Sequence, residues 1–494
     1  MRAAVLVALA LLAGCATPQA IAPARPADKA LEAALQKHIS VLASDEFGGR
    51  QPGTEGEAKT LRYLAREWQG AGLVSGTNDP ANPWFAPVEV SASTPQKSSV
   101  RFQRAGRTVP IPADAAFVFA SGTRGLVERA PVLFVGNAGG GLESSELAGR
   151  VVLMLGSHPH RFEQRDALLR AGAAAVIAII DDPAAMAELT ETRLRGSHRL
   201  AANDVGDTID GFMTYQAATQ IVGAQRMQQL VADAREAEFK PVALDLTASI
   251  EANSTTANVR TFNLIGKLAG KRPGAGAVLL LAHWDHFGRC GDPGTANAIC
   301  NGAVDNASGL AVLTELARRL AKGPRPDRDV YFLATTAEEW GLLGAQAFTE
   351  NPPVPLDTIV AAFNLDTVAV APAGSPVAIV GKGMTPLDDA IAQVMRRMGR
   401  KEGDETIAKE YLRRQDGWAL LQRDVPAVSV TSAFGSAGPL DRYIAERYHK
   451  PSDKAAGVEL GGAIDDLLLT EALVRHFADP VRWPATAGKS VEAH

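Results

Sequence analysis

The C-terminal half of the chain alternates between short apolar runs and segments whose hydrophobic residues recur every three or four positions. Short apolar runs are typical of buried strands, and the longer spacing is typical of helices that cover a sheet. The runs that predict strands are 259–268, 277–282, 330–335, 359–365 and 427–430. The segments that predict helices are 310–320, 341–348, 386–398 and 464–477. Because strands and helices alternate along the chain, we expect an α/β layered sheet with parallel strands.

The N-terminal half has two further patterns. Hydrophobic residues at helical spacing over 31–42, a Gly- and Pro-rich turn at 48–54 and a second periodic run over 58–68 predict a helix, a turn and a helix. Short strands are expected at 87–90 and 100–102.

The segment from about 115 to 245 changes character. It predicts strands at 131–136, 151–156 and 173–180 and a helix at 165–172, and it lacks clustered carboxylates and histidines. It therefore offers no candidate metal-binding cluster of its own.

The first residues have the pattern of an export signal. A single charge at Arg2 precedes an apolar run over 3–13, which is too short to span a bilayer as a helix. The run ends in LAGC at 12–15, which resembles the lipobox of bacterial lipoproteins and implies a lipid on Cys15. Residues 16–28, rich in Ala and Pro, are then a tether. The alternative is an ordinary signal peptide that happens to contain a cysteine.

Composition narrows the class of protein without identifying it. The 494 residues are 46% hydrophobic and 21% charged, which excludes wholesale disorder. The formal net charge is −5 and no Lys/Arg cluster occurs, so we expect no nucleic-acid partner. Of the three cysteines, Cys290 and Cys300 remain once Cys15 carries lipid. They would pair in an oxidising compartment, and two free thiols are the alternative.

Polar residues follow the predicted strands at the points where the strands end. The predicted strand 277–282 is followed by His283, Asp285 and His286. The strand 330–335 is followed by Glu338-Glu339, and the strand 359–365 is followed by Asp366. Two further candidates, Asp305 and His449, lie in loops. In open α/β sheets, ligands collect beyond the carboxyl ends of the strands. Histidines and carboxylates gathered there form a ligand set that suits Zn²⁺, and this set could hold two ions. His286 by itself is more typical of a residue behind a ligand or at the surface.

Five motifs in order resemble peptidase family twenty-eight, the co-catalytic zinc aminopeptidases and their relatives. They are HWD at 283–285, DNASG at 305–309, EE at 338–339, NLD at 364–366 and YH at 448–449. GR at 49–50 and PGT at 52–54 also look like that family's N-terminal segment. The resemblance implies a three-layer α/β/α sandwich with a mixed, largely parallel sheet of the zinc exopeptidase type.

The resemblance also implies a role for each residue. Two zinc ions would be bridged by Asp305, with His283 and Asp366 completing one site and Glu339 and His449 the other. A water held between the ions would attack the peptide bond, with Glu338 as general base. Tyr448 would help to polarise the scissile carbonyl, and Asp285 would hydrogen-bond the far nitrogen of His283.

The block at 115–245 resembles the protease-associated domain that is inserted in several exopeptidase families. The resemblance rests on GRVVL at 149–153 and AGAAAVI at 171–177. It implies a β-rich α+β domain within the peptidase domain. The expected division is signal peptide 1–14, tether 15–29, peptidase domain 30–100, inserted domain 101–250, main peptidase part 251–480 and tail 481–494.

The function implied is an exported hydrolase, lipid-anchored to a bacterial membrane and facing the periplasm or the exterior. It would be a metallo-aminopeptidase that releases N-terminal residues from peptides. Carboxypeptidase or glutaminyl-cyclase-like activity on the same scaffold stays open, as does a non-catalytic binding protein. A serine hydrolase and a single-zinc protease are disfavoured, because the Gly-x-Ser-x-Gly and His-Glu-x-x-His motifs are absent. The oligomeric state is not predicted.

Two features depart from the family pattern. His283 and Asp305 are 22 positions apart, and the long loop 287–303 between them carries both cysteines and is expected to narrow access to the site. QDG at 415–417 stands where many relatives read Ser-Asp-His. Asp416 keeps a carboxylate there, and we expect it to support a loop rather than to bind metal.

Overall fold

The structure is a computed structural model that describes residues 26–484, apart from 138–141, 158–160, 204–205, 237, 292–294 and 296–297. The expected signal peptide 1–14, the lipid-bearing Cys15 and most of the expected tether and tail lie outside these residues. Among the described residues, no helix combines the length and the apolar character needed to cross a membrane.

The helices and strands are numbered separately in chain order. The helices are α1 Pro26–Leu42, α2 Glu55–Ala71, α3 Ser144–Leu147, α4 Arg161–Arg170, α5 Pro183–Arg195, α6 Tyr215–Val222, α7 Ala224–Asp233, α8 Gly309–Lys322, α9 Leu343–Glu350, α10 Asp388–Arg397, α11 Glu405–Glu410, α12 Gly417–Leu421, α13 Ala437–Glu446 and α14 Gly461–Phe477. The strands are β1 Val74–Ser75, β2 Phe85–Arg104, β3 Arg107–Val109, β4 Ala116–Ala120, β5 Arg124–Gly136, β6 Val151–Leu155, β7 Ala175–Ile180, β8 Ser197–Leu200, β9 Ile209–Thr214, β10 Val242–Leu268, β11 Ala277–His283, β12 Gly288–Arg289, β13 Ile299–Cys300, β14 Asp329–Thr335, β15 Ile359–Asn364, β16 Ala378–Val380 and β17 Ala427–Thr431.

The C-terminal half forms the sheet that the hydrophobic pattern predicts. Its strand order is β16-β17-β15-β11-β14-β10. The inner strands β17, β15, β11 and β14 are parallel, whereas β10 and β16 run antiparallel to their neighbours. The prediction of a mixed, largely parallel sheet is therefore confirmed.

Helices cover both faces of this sheet, which explains why its strands are continuously apolar. Along β11, Val278 and Leu280 belong to a core shared with α1, α2, α8, α10 and α14. The alternate residues Leu279 and Leu281 pack on the other face with Phe348 of α9 and Leu420 of α12. The three-layer α/β/α arrangement is confirmed.

A long two-stranded ribbon connects this sheet to a second one. β2 and β10 pair antiparallel from Phe85↔Leu264 to Gln103↔Thr247, with a register shift at Ala252/Ser254. The strands expected at 87–90 and 100–102 are thus parts of one strand, because cross-strand pairing carries the backbone through the polar stretch between them. The expected domain boundaries, 101 and 250, fall within this ribbon.

The second sheet has the order β5-β6-β7-β9-β4 and joins the first through β10. β5, β6, β7 and β9 are parallel, and β4 is antiparallel to β9. Leu153 and Ile177 pack with helices α6 and α7 on one face, and Val152 and Val176 pack with α3, α4 and α5 on the other. Its identity as a protease-associated domain stays a prediction.

Candidate metal centre

The polar residues gather because three strands of the main sheet end at the same edge. β11 ends at His283, which pairs with Thr335 at the end of β14. Leu281 of β11 pairs with Asn364 at the end of β15. Parallel strands in register bring their carboxyl ends together, so the loops that follow them share one edge. Glu338, Glu339 and Asp366 lie in those loops.

Asp305 lies between two groups of possible ligands. The first group contains His283, whose Nε2 lies 3.2 Å from Oδ1 of Asp305 and 3.3 Å from Oδ1 of Asp366. The second contains His449, whose Nε2 lies 3.3 Å from Oδ2 of Asp305 and 3.3 Å from Oε2 of Glu339. The five residues expected to hold metal are therefore adjacent, with the two oxygens of Asp305 facing different groups.

The backbone around Asp305 is held by a second acid. Residues 303–308 form an irregular turn rather than a regular helix, and the Asp305–Asn306 peptide bond is cis. The Asp453 carboxylate accepts hydrogen bonds from the backbone N–H groups of Val304 (3.0 Å) and Asp305 (3.1 Å). Asp453 is itself paired with Arg447 at 3.2 Å. This contact fixes Asp305 where both of its oxygens face the site.

The Arg50 side chain supports the same loops through hydrogen bonds to their backbone carbonyls. Its side chain is fully buried, and its guanidinium donates to the backbone carbonyls of Trp284 (2.8 Å), Leu42 (2.9 Å), Asn301 (2.5 Å) and Gly302 (2.9 Å). Burial lowers the pKa of Arg50 to about 10, so it stays charged at neutral pH. One side chain thus ties the segment before the long loop and the last residues of that loop to the N-terminal turn.

Asp285 holds a different part of the site from the one expected. Its carboxylate lies 3.8 Å from Nδ1 of His283, beyond hydrogen-bond distance, and that nitrogen faces the Asp285 carbonyl oxygen at 3.2 Å. The carboxylate oxygens instead accept the backbone N–H groups of Glu338 (3.1 Å) and Glu339 (3.3 Å). Asp285 therefore positions the turn that carries both glutamates.

His286, which the sequence pattern predicts to lie behind a ligand or at the surface, contacts one of the expected ligands. It is fully buried, and its Nδ1 lies 2.5 Å from Oε1 of Glu339. Because Oε2 of Glu339 faces His449, an N–H donated by His286 would hold the carboxylate in that orientation. His286, Asp305 and Glu339 also lie close enough to form a ligand group of their own.

The acids at the site are buried close together, which favours a positive charge among them. Burial, together with the carboxylates of Asp305 and Glu338, raises the pKa of Glu339 well above its ordinary value. Burial alone would lower the pKa of His283, but the carboxylates of Glu338 and Asp366 outweigh it and raise that pKa well above normal. Both shifts arise because buried acids are packed closely around His283. The donor set, two imidazoles with shared carboxylates, fits zinc.

Glu338 lies beside these groups without belonging to either. Its Oε2 is 4.0 Å from Nε2 of His283, and its side chain is nearly buried. Burial, reinforced by the carboxylates of Asp366 and Asp416, raises the pKa of Glu338 well above its ordinary value. A carboxylate with a raised pKa and no metal-binding task is suited to accept and return a proton.

A cavity opens beside the acids. Its walls combine the site residues with apolar and aromatic side chains, including Val380, Phe434, Leu440, Tyr443 and Tyr448. The Tyr448 ring stacks on the His449 ring at 3.6 Å between centroids. Burial raises the pKa of the Tyr448 phenol above its ordinary value, so it keeps its proton and can donate a hydrogen bond into the cavity.

The long loop before Asp305 packs against His449. Phe287 lies 4.6 Å from the His449 ring, and Cys290 Sγ lies 3.7 Å from the His449 carbonyl oxygen. Cys290 and Cys300 form a disulfide with their Cα atoms 5.7 Å apart, as expected for an oxidising compartment. The cross-link closes the loop next to a proposed ligand.

Replacing Cys290 and Cys300 by Ser is expected to destabilise this loop by about 2–3 kcal/mol, because the open chain regains the entropy that the cross-link removes. Amide hydrogen exchange over 288–300 measures the effect, since a loop can open locally in a large protein. Reductant should increase exchange in the wild type to the level of the variant and leave the variant unchanged. Equal exchange in both proteins before reduction would contradict the expectation.

The departure at 415–417 supports neighbouring residues, as expected for Asp416. Asp416 accepts a hydrogen bond from Thr335 Oγ1, and Gln415 accepts one from Asn364 Nδ2 at 2.7 Å. Burial raises the pKa of Asp416 to about 7. Both residues therefore brace the ends of β14 and β15, and Gln415 also lines the cavity.

β8, which pairs with β2 of the connecting ribbon, contacts the turn that carries the two glutamates. The His198 ring of β8 stacks on Trp340 with centroids 3.9 Å apart. Leu200 shares a small hydrophobic cluster with Ala337 and Leu343 on either side of the glutamates. Part of the segment 115–245, which has no clustered carboxylates and histidines of its own, therefore packs directly behind the glutamate turn. This contact joins residues far apart in sequence, so no local sequence pattern predicts it.

Comparison with known proteins agrees with this geometry. Residues 263–465 match the model of Peptidase family M28, and this part of the chain contains the metal centre. The fold is similar to that of the aminopeptidase from Aneurinibacillus sp. strain AM-1, with a TM-score of 0.55 and 18% sequence identity over 89% of this chain and 92% of that one. At that level of identity the similarity is one of fold.

Two curated relatives match shorter segments. A vacuolar membrane protease of Pyricularia oryzae is 36% identical over 88 residues, which are 18% of this chain and 8% of that protein. A probable zinc metalloprotease of Pyrenophora tritici-repentis is 45% identical over 67 residues, which are 14% of this chain and 15% of that protein. The chain thus spans only a small part of the length of these relatives.

Proposed function

We propose that this protein is a zinc metallopeptidase of the M28 type, and that it acts as an exopeptidase releasing N-terminal residues from peptides. The observation that carries the proposal is the position of Asp305, with one oxygen 3.2 Å from His283 and the other 3.3 Å from His449. A carboxylate shared between two imidazole groups suits a pair of zinc ions. The match of residues 263–465 to the M28 model supports the same conclusion.

The residues around this centre have complementary tasks. Zinc, when bound, would polarise the scissile carbonyl and make a water molecule more acidic. The Glu338 carboxylate accepts the proton of the attacking water and returns it to the leaving amine. The Tyr448 phenol donates a hydrogen bond to the carbonyl oxygen as negative charge develops there. His286 and Asp285 hold Glu339 and the glutamate turn in place.

Release from the N-terminus is favoured by the surplus of acids at the site. A free α-amino group is a cation, and carboxylates beside the metal centre attract it. Carboxypeptidase activity and glutaminyl-cyclase-like activity on the same scaffold are the competing proposals. Export and a lipid on Cys15 belong to the same proposal and rest on the sequence pattern alone.

The proposal is tested by measuring metal content and hydrolysis together. We expect bound zinc and hydrolysis of unblocked peptides from the N-terminus, with loss of activity on chelation and recovery on addition of zinc. Acetylating the α-amino group should abolish cleavage. Cleavage of acetylated peptides from the C-terminus would indicate a carboxypeptidase instead. Bound zinc without hydrolysis of any peptide would favour a binding protein.

Removing the metal is expected to lower the melting temperature, because the clustered acids then repel one another. A ligand present at 1,000 times its Kd stabilises the folded state by about 4 kcal/mol. Calorimetric melting with and without zinc measures this difference. Asp305→Asn should lose most of the zinc-dependent shift, since it weakens both ligand groups. The same melting temperature with and without zinc would contradict a metal centre.

A further inference from the structure

Arg414 stands out because it brings a positive charge to a cavity otherwise lined by acids. It lies in the turn between α11 and α12, and among the described residues that line the cavity it is the lone lysine or arginine. Asp305, Glu338, Glu339 and Asp366 line the same cavity. The guanidinium is exposed at the mouth rather than buried with the acids.

The guanidinium is held by aromatic residues. Its Nη2 donates to the Tyr448 phenol oxygen at 3.3 Å, and its central carbon lies 5.2 Å from the Tyr411 ring and 6.0 Å from the Tyr448 ring. Among the described residues, Arg414 forms no ion pair with a carboxylate within 4.0 Å, and Glu188 acts on its charge only from beyond that distance. A guanidinium has five N–H donors, so most of those of Arg414 stay available to a bound molecule.

This combination distinguishes Arg414 from ordinary surface arginines. A guanidinium fixed between two rings loses little conformational freedom when it binds a carboxylate, and its planar fork matches a carboxylate with two parallel hydrogen bonds. Because it touches Tyr448, a group bound to it would lie close to the scissile bond. The adjacent Arg413 is also exposed and contacts the Trp418 ring at 5.1 Å, but it does not line the cavity.

We propose that Arg414 is a specificity-determining residue that binds a carboxylate of the peptide substrate, so that the enzyme prefers short or acidic peptides. The inference rests on the proposed peptidase function and narrows its substrate class. The carboxylate has two possible sources, the C-terminus of a dipeptide and an acidic side chain beside the scissile bond. Both offer the same chemistry to the guanidinium.

The test compares matched substrates that differ by one carboxylate. Leu-Ala against Leu-Ala-amide examines the C-terminus, and Leu-Glu-amide against Leu-Gln-amide examines the side chain. In the zinc-loaded wild type we expect kcat/KM to favour the carboxylate in at least one pair by about 10- to 100-fold, the range of a hydrogen bond to a charged group. Arg414→Gln should reduce that ratio to about 1, with Arg414→Lys in between.

Arg413→Gln is the matched control, because it removes a neighbouring exposed charge of the same sign. It should retain the wild-type ratio, which separates direct contact from long-range attraction. A wild-type ratio near 1 in both pairs would overturn the inference. So would an equal loss on both members of each pair in Arg414→Gln, since Arg414 would then act only through Tyr448.

A binding measurement separates this inference from the proposed function. The same peptide pairs are titrated calorimetrically into zinc-loaded Glu338→Gln, alone and combined with Arg414→Gln or Arg413→Gln. A Kd ratio that favours the carboxylate and disappears only with Arg414→Gln supports the inference even if the wild type hydrolyses none of the peptides. A ratio that does not depend on Arg414 overturns it even if every peptide is hydrolysed.

Discussion

Glu338→Gln is expected to keep its zinc and lose about 10²- to 10⁴-fold in kcat, the contribution of a positioned general base. The amide has nearly the shape of the carboxylate but cannot take a proton. Glu338 lies 4.0 Å from His283 and outside both ligand groups, so its replacement leaves the metal donors unchanged. Metal analysis, together with kcat for an unblocked peptide, measures both effects in one preparation.

Glu339→Gln is the matched control, one position along the chain. Glu339 faces His449 at 3.3 Å and His286 at 2.5 Å, so its amide should weaken zinc binding as well as activity. Near-normal turnover in Glu338→Gln with zinc retained would remove Glu338 from the role of base. Loss of zinc from Glu338→Gln would instead make it a ligand.

Arg50→Met is expected to destabilise the fold by at least about 3 kcal/mol, because several buried carbonyl oxygens lose their donor at once and each unsatisfied group costs about 1–3 kcal/mol. The carbonyl of Trp284 lies just before the long loop, and those of Asn301 and Gly302 lie at its end, next to the Asp305 turn. We therefore expect the folded variant to bind zinc more weakly as well. Calorimetric melting and zinc titration measure the two effects separately.

Arg328→Met provides the comparison that isolates the second effect. Arg328 is also fully buried and donates to the carbonyls of Ala275 (2.8 Å) and Phe477 (2.6 Å), at the opposite ends of the strands. The Arg328→Met substitution should lower the melting temperature and leave the zinc Kd unchanged. Wild-type zinc affinity in folded Arg50→Met would show that the carbonyls keep their positions without the guanidinium.

The main sheet was predictable because burial on both faces imposes a strong local pattern. The run at 277–282 corresponds to β11 within one residue, and 310–320 lies within α8. The pattern did not reveal that β2 continues from Phe85 to Arg104 or that β10 runs for 27 residues. The polar stretches of β2 and β10 stay in strand conformation because the two strands pair with each other. This pairing joins segments that are remote in sequence, so it is a non-local effect.

The candidate site divides in the same way. Its expected members all lie at one sheet edge. Glu338, Glu339 and Asp366 do so because they follow parallel strands, whereas Asp305 and His449 reach that edge from loops. The contact of Asp285 with the backbone of the glutamate turn, the identity of the ligand that His286 contacts and the carbonyl contacts of Arg50 were not predictable. They depend on distances between segments that are remote in sequence, and the residues involved follow no periodicity.

The amino-acid sequence alone determined the order of strands and helices, the parallel character of the sheet and the chemical types of the residues at its edge, because alternation of apolar and polar positions is a local property. The tertiary structure decided which oxygen of Asp305 faces which histidine, that β8 packs behind the glutamates, and that Arg414 reaches the cavity beside Tyr448. Those outcomes follow from how rigid elements pack in three dimensions, and the local pattern carries no trace of contacts between separate elements.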